Sequence, residues 1–284
     1  MTNDADAGLV DNAEIEQVAV TAALRGGEIL FEMLGKIKAR QKGPRDLVTE
    51  ADLASQKKIL DVILTEYPQH MFVGEEDMTE DLLGDERSAN IVTDGMSLRD
   101  VEYCWVVDPL DGTTNYVHQL PGFAVSIGLL HYGEAVVGAV VDPIRHQVFR
   151  ASKGNGAWLG DQRITVSDCR QLDEALVAAS FSARVPRHSP EIERFIEMLH
   201  ACQALRRTGS AALNMCNVAC GGLDGYWATS VKMWDIAAGV AIVNEAGGMV
   251  THIDGGSLDI ENPQFVASSN DVLHAQMLDR LAIK

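Results

Sequence analysis

The sequence predicts an α+β half (residues 1–171) followed by an α/β half (172–284), packed as one compact unit. Three observations carry that expectation. Apolar residues recur at helical spacing over 14–35 and again from Thr49 to Tyr67-Pro68, short apolar runs split by turn signals fill 123–166, and strands alternate with helices after about 172. A chain of 284 residues, 46% hydrophobic and 23% charged, can bury the core this needs.

In chain order, 14–35 places Val18, Ala22, Ile29, Leu30, Met33 and Leu34 at helical spacing, with a bend expected at Gly26-Gly27. Thr49-Glu-Ala-Asp52 opens a second helix as a capping box. Leu53, Ile59, Leu60, Ile63 and Leu64 form its apolar face until Tyr67-Pro68 stops it. The run Val101 to Val107 reads as a buried strand. Beyond it, Tyr132-Gly-Glu, Asp142-Pro, Lys153-Gly-Asn-Gly and Leu159-Gly-Asp punctuate an antiparallel meander. A strand is predicted over 176–181 and helices over 189–203, 210–220 and 235–246, the last two ended by Gly221-Gly222 and Gly247-Gly248. Strands over 249–253 and 264–268 precede a final helix capped near Asn270. Residues 77–100 are acidic and poorly patterned, which predicts a mobile surface loop.

With 41 acidic against 23 basic side chains, the formal charge of −18 repels a nucleic-acid backbone over most of the surface. Small anionic ligands remain admissible where metal ions or local cations invert the field. The start, Met1-Thr-Asn-Asp-Ala-Asp, lacks the basic and apolar stretches of a signal peptide, and no later run approaches a membrane span. A cytoplasmic protein with no membrane partner is expected. The cysteines Cys104, Cys169, Cys202, Cys216 and Cys220 form no CxxC and read as small core residues.

The densest chemistry lies in Asp108-Pro-Leu-Asp-Gly-Thr-Thr-Asn115. Pro109 biases Asp108 toward extended backbone, so a strand can deliver that carboxylate at its end before the chain reverses. Gly112 permits close approach to a ligand, and a helical turn starting at Thr113 would aim free N–H groups at an anion. One segment thus offers two carboxylates and a carbonyl to hard cations, and amides with a hydroxyl to a phosphoryl group. A bare Asp-x-x-Asp-Gly is more often an ordinary turn; the full eight residues with their partners elsewhere reverse that reading.

With Gly74-Glu-Glu76 upstream and Trp234-Asp-Ile-Ala-Ala-Gly239 downstream, this segment resembles the inositol monophosphatase family, from about residue 14 to the C-terminus. The resemblance implies a layered αβαβα sandwich of the sugar-phosphatase type, commonly a homodimer, and a magnesium-dependent, lithium-sensitive phosphatase acting on small phosphate monoesters. It places Glu75, Asp108 and the Leu110 carbonyl on one magnesium ion and Asp108, Asp111 and Asp235 on a second. A third, weaker ion would sit near Glu75. About four negative charges suit such ions and would be costly to gather without them. By the same resemblance, Thr113 and Asp52 would hydrogen-bond the nucleophilic water, without a covalent phosphoenzyme, and Gly112 with Thr113 would face the phosphate. Asp111 and the segment around Ser210, through backbone at Gly209 and Ala211, would meet the substrate's hydroxyl-bearing ring.

Each residue also has a structural explanation. Asp52 completes the capping box, Ser210 fits a helix N-cap, and Asp235 fits an N-cap worth about 1 kcal/mol. Glu76 is expected to be solvated or to stand behind the ligands, since neighbouring strand residues point to opposite faces. Lys42 resembles the family's mobile lysine at the site mouth, but the loop is one residue shorter here and a solvated surface lysine is the expectation. His118 is expected to pack or cap rather than react. Ala228, seven residues before Asp235, departs from the family's pattern, in which a glutamate there accepts a bond from a ring hydroxyl. The stretch from Glu75 to Asp108 is longer than in compact members and forms either a lid or extra surface.

Inositol 1-phosphate-like esters are therefore the first substrate expectation. Fructose 1,6-bisphosphate, histidinol phosphate, nicotinamide dinucleotide phosphate and 3′-phosphoadenosine 5′-phosphate stand as same-fold alternatives. Thr114-Asn115 fits the inositol and sugar groups better than the nucleotide group. A non-catalytic cation or sugar-phosphate binding module is the rival from another class.

Overall fold

A computed structural model of the chain describes residues 12–36, 40–43, 46–76, 90–92, 95–182 and 184–282. Helix α1 (Asn12–Met33) runs unbroken through Gly26-Gly27. The expected bend gives way to a packing reason: a methyl group at Gly26 would lie 2.7 Å from Ser55 Oγ and 2.8 Å from Ile59 Cδ1. The glycine thus lets α1 meet helix α2, which spans Glu50–Glu66 after the hairpin β1 (Arg40–Gly43) and β2 (Asp46–Val48). The capping box forms as predicted. Thr49 Oγ1 accepts from the Ala51 N–H at 3.1 Å, and Asp52 Oδ2 accepts from the Thr49 N–H at 2.9 Å.

The next strands are β3 (Met71–Gly74), β4 (Tyr103–Asp111), β5 (Ala124–His131), β6 (Glu134–Asp142), β7 (Gln147–Ser152), β8 (Gly156–Leu159) and β9 (Gln162–Ile164). They form a seven-stranded sheet in chain order, parallel only between β3 and β4. The predicted meander is its antiparallel part. Strand β4 corrects one expectation: the chain does not reverse at Asp108 but continues through Pro109 to Asp111, which pairs with Ala124. Proline cannot donate to the ladder, so the register shifts between Asp108 and Asp111. The Pro109 carbonyl instead accepts from Ser55 Oγ at 3.1 Å. Helix α3 (Thr113–Val117) follows at once.

The second half contains β10 (Leu176–Ser180), α4 (Pro190–Ala201), β11 (Ala204–Arg206), α5 (Ala211–Ala219), β12 (Gly225–Ala228), α6 (Met233–Glu245), β13 (Met249–His252), β14 (Phe265–Ser268) and α7 (Asp271–Leu281). Its sheet runs β11-β10-β12-β14-β13, with β10 parallel to both neighbours. The pattern reading missed β11 and β12. Tyr226, Trp227 and Ala228 are buried on both faces of a central strand, so no polar alternation marks it.

Helices α1 and α2 cover one face of the seven-stranded sheet, α5 and α6 fill the space between the sheets, and α4 with α7 cover the outer face of the second. The expected αβαβα layering is what the chain adopts. Helix α6 reaches the first sheet over glycines: a methyl group at Gly128 would lie 2.7 Å from Ala237 Cβ, and one at Gly138 would meet the Ala238 carbonyl. The small residues after Asp235 thus bring the start of α6 close to β5 and β6.

The expectation of a mobile loop over 77–100 fails for its described part. Asn90 and Val92 bond the Phe72 backbone, Asn90 Nδ2 donates to Pro68 and His70 carbonyls, and Leu98 is buried. Residues 77–89 and 93–94, and the side chain of Lys42, lie outside the described residues. All five cysteines are free thiols; Cys104 and Cys216 are buried and the others partly so. Among the described residues no helix is long and apolar enough to cross a membrane.

Candidate functional site

Four separate pieces of the chain deliver carboxylates to one place. Helix α2 supplies Asp52 from its first turn, the bend after β3 supplies Glu75 and Glu76, the end of β4 supplies Asp108 and Asp111, and the first turn of α6 supplies Asp235. Oxygens of Asp108, Asp111 and Asp235 lie within 4.8 Å of one another, and those of Asp52, Glu75 and Glu76 do the same. Asp52, Glu76, Asp108 and Asp111 are buried, while Glu75 and Asp235 are partly exposed.

Burial, then Glu75, Asp111 and Asp235 in turn, hold the Asp108 carboxyl well above the ordinary range. Asp111 is pushed up to about 7, first by burial and then by Asp235, and Asp52 to about 6, first by burial. Asp235 is raised by burial and eased by the Lys232 N–H, which donates to its Oδ2 at 2.6 Å. Carboxylate oxygens of Asp108 and Asp235 face each other within 4.8 Å, a repulsive pair that a bound cation would relieve.

The donor set fits hard divalent cations. It is all oxygen, strongly anionic, and close enough to chelate. Asp52 Oδ1 is buried without a hydrogen-bond partner, an acceptor left over for a cation or a water. The Leu110 carbonyl stands at the same turn and accepts from Thr113 Oγ1 at 3.2 Å, while the Leu110 N–H donates to Asp108 Oδ1 at 2.9 Å.

Gly112 sits at φ 88°, where a side chain would strain the backbone and a methyl group would lie 2.8 Å from the Gly122 carbonyl. Asn115, the last residue of the motif, is a brace: its Nδ2 donates to the Gly122 carbonyl at 2.7 Å and to the Thr208 carbonyl at 3.0 Å. That ties the motif to the segment carrying Gly209, at φ +94°. Ser210 caps α5, accepting from the Leu213 N–H at 3.1 Å, and also donates to Asp111. The Ala211 and Ala212 N–H groups add bonds of 3.1 and 2.8 Å to the same carboxylate. The Ala211 amide is thus engaged by Asp111 itself.

Two sequence expectations change here, and that for His118 holds. Glu76 is neither solvated nor turned away, because the chain bends after Gly74 and strand alternation no longer applies; Gln56 clamps the Glu76 backbone on both sides. Asp235 is the third residue of α6 rather than its N-cap, and its carboxylate reaches back to the Lys232 N–H. His118 caps α3 through its backbone while its side chain is exposed. Ala228 is buried at the end of β12.

Comparison with known proteins places the chain in one family. The inositol monophosphatase family model matches residues 11–283. An inositol-1-monophosphatase from Synechocystis sp. is 37% identical over 94% of this chain and 88% of its own length. The Nus factor SuhB of Pasteurella multocida is 36% identical over 89% of this chain and 90% of its own. An inositol monophosphatase structure from Anabaena superposes with a TM-score of 0.81 at 35% identity, covering 96% of both chains.

Proposed function

Because the chain belongs to the inositol monophosphatase family, we propose that it is a magnesium-dependent hydrolase of small phosphate monoesters, with inositol 1-phosphate-like esters as first choice. The observation that carries this reading is the meeting of Asp108, Asp111 and Asp235 beside Asp52, Glu75 and Glu76. In the proposal, Glu75, Asp108 and the Leu110 carbonyl hold one ion, Asp108, Asp111 and Asp235 hold a second, and a third, weaker ion sits near Glu75. Magnesium, when bound, supplies Lewis-acid activation of water and neutralises phosphoryl charge.

The chain's own residues divide the remaining work. The Thr113 hydroxyl spends its proton on the Leu110 carbonyl, which leaves its lone pairs to accept from a water and hold it in line with the phosphorus. Asp52, buried beside the cluster with Oδ1 unpartnered, takes that water's proton as general base. Gly112 keeps the backbone bare where the phosphoryl oxygens approach. Gly209, Ser210 and Ala211 line the side on which the alcohol leaves.

Ala228 offers a methyl group rather than a hydrogen-bond acceptor, which leaves the choice of alcohol to other residues. A substrate panel tests the reading. Phosphate release from inositol 1-phosphate and sugar phosphates should require magnesium and stop on chelation; no release from any ester would defeat it.

A further inference from the structure

A cavity of about 400 Å³ opens on the seam between the two halves of the chain. Its floor is apolar. Ala135 at the start of β6 contributes from the first half, and Val240 of α6, Val250 of β13, Leu258 and Ile260 contribute from the second, all of them buried or partly buried. Its rim is polar and exposed, with Arg99, Tyr132 and Glu134 on one side and Asn244 on the other. Small-molecule sites concentrate at such seams, as apolar hollows with a few polar groups at the edge. The place is separate from the carboxylate cluster, because Asn244 stands about 13 Å further along α6 than Asp235 at 1.5 Å per residue.

The rim is built in a way that the core does not explain. Tyr132 and Gly133 form the turn between the paired residues His131 and Glu134, at φ 48° and 80°. A two-residue turn with both φ positive favours Asn-Gly, and a bulky residue in the first place strains the backbone. Tyr132 gains little burial in return, since it is 54% exposed. Strain of this kind gathers at ligand-binding places. Gly133 in turn seats Arg99: an added methyl group would lie 3.0 Å from Arg99 Cγ, so the arginine stem packs on the bare turn. Among the described residues no hydrogen bond or ion pair engages the Arg99 guanidinium, the Tyr132 hydroxyl or the Asn244 side-chain amide. Glu134, by contrast, is spent on Lys153 Nζ at 2.7 Å. The charge left over at the rim is therefore one cation, in a chain of net charge −18.

The apolar floor suits a hydrocarbon body, the Tyr132 ring suits an aromatic one, and a guanidinium holds a carboxylate through two parallel bonds. A single positive charge matches a monoanion better than a phosphate dianion. We propose that this cavity binds a small aromatic monocarboxylate, its carboxylate on Arg99 and Asn244 and its ring between Tyr132 and the floor at Val240 and Ile260. The site stands apart from the phosphatase reading and takes a ligand of another class.

Calorimetric titration of the full chain with 3-phenylpropanoate tests it, with magnesium and inorganic phosphate present so that a plain anion site is already filled. Saturable binding is expected, with 3-phenylpropanamide and acetate each at least about 10-fold weaker, the first lacking the charge and the second the ring. Arg99→Met should reduce the affinity for the acid to that for the amide. Tyr132→Asn installs the pair that the turn favours, so the fold is kept, and it should weaken binding about fivefold. No saturable binding of 3-phenylpropanoate, binding of the amide or acetate as tight as that of the acid, or unchanged affinity in both variants would overturn the proposal.

Discussion

The hydroxyl of Ser210 donates to the carboxylate of Asp111, joining the end of β4 to the first turn of α5. The same hydroxyl oxygen accepts from the Leu213 N–H at 3.1 Å, so Ser210→Ala removes a helix cap and a bond to a buried carboxylate together. The expected cost is about 1–3 kcal/mol, measured by urea unfolding, with weaker magnesium binding by titration. Ser210→Thr should retain most of both.

Metal dependence should vary with pH. The ordinary carboxyl value of 3.8 rises to about 6 at Asp52 and about 7 at Asp111, in both cases chiefly through burial. A raised acid binds more protons folded than unfolded, so the metal-free protein loses stability as pH climbs from about 4 to about 7. Magnesium binds the ionised form, and its stabilisation should be larger at about pH 8 than at about pH 5. Thermal melts with magnesium or chelator check this; equal gains at both pH values would count against ion binding by these carboxylates.

Much of this site was legible because its chemistry is local in sequence. Asp108 and Asp111 stand three positions apart, Glu75 ends a strand, and Thr49 with Asp52 announces its own helix start. What escaped depends on contacts between remote segments. Nothing near Ser210 declares that Asp111 will receive its hydroxyl, and nothing near Asn115 declares a bond to Thr208. Strand alternation does not extend past Gly74, where the chain bends and Gln56 holds the Glu76 backbone, so Glu76 is buried rather than solvated. Strand β12 was missed because burial on both faces erases the period of two. Gly128 reads as an ordinary strand glycine until α6 is laid across it.

His70 lies between Tyr67 and Tyr103, each with ring centroids at 4.7 Å, and its Nδ1 accepts from Trp105 Nε1 at 3.1 Å. Burial pushes its pKa from 6.5 down to about 4. The unfolded chain therefore takes up the proton first, and stability contributed by neutral His70 is lost as pH falls from about 6.5 toward 4. In saturating magnesium, His70→Phe should show a flatter stability profile than the parent across that window. Parallel profiles would refute the assignment.

Gly128→Ala tests the seat of α6. An added methyl group meets Ala237 Cβ at 2.7 Å and the Ala238 nitrogen at 2.8 Å, which predicts a loss of about 1–3 kcal/mol on denaturant unfolding. Displacement of α6 also moves Asp235, so magnesium affinity should fall with stability.

Asp52→Asn should separate catalysis from capping. If Asp52 serves as general base, kcat falls by about 10²–10⁴ while magnesium affinity changes little. A purely structural Asp52 would lower stability and leave kcat per folded molecule intact.

The most direct measurement of the central claim is phosphate release from inositol 1-phosphate by the parent and by Asp108→Asn as magnesium is titrated. The carboxylate cluster predicts no turnover by the parent without a divalent cation, saturation as magnesium is added, and a loss of at least about 10³ in kcat/KM for the variant with its fold intact. Magnesium-independent turnover, or a variant as active as the parent, would contradict it.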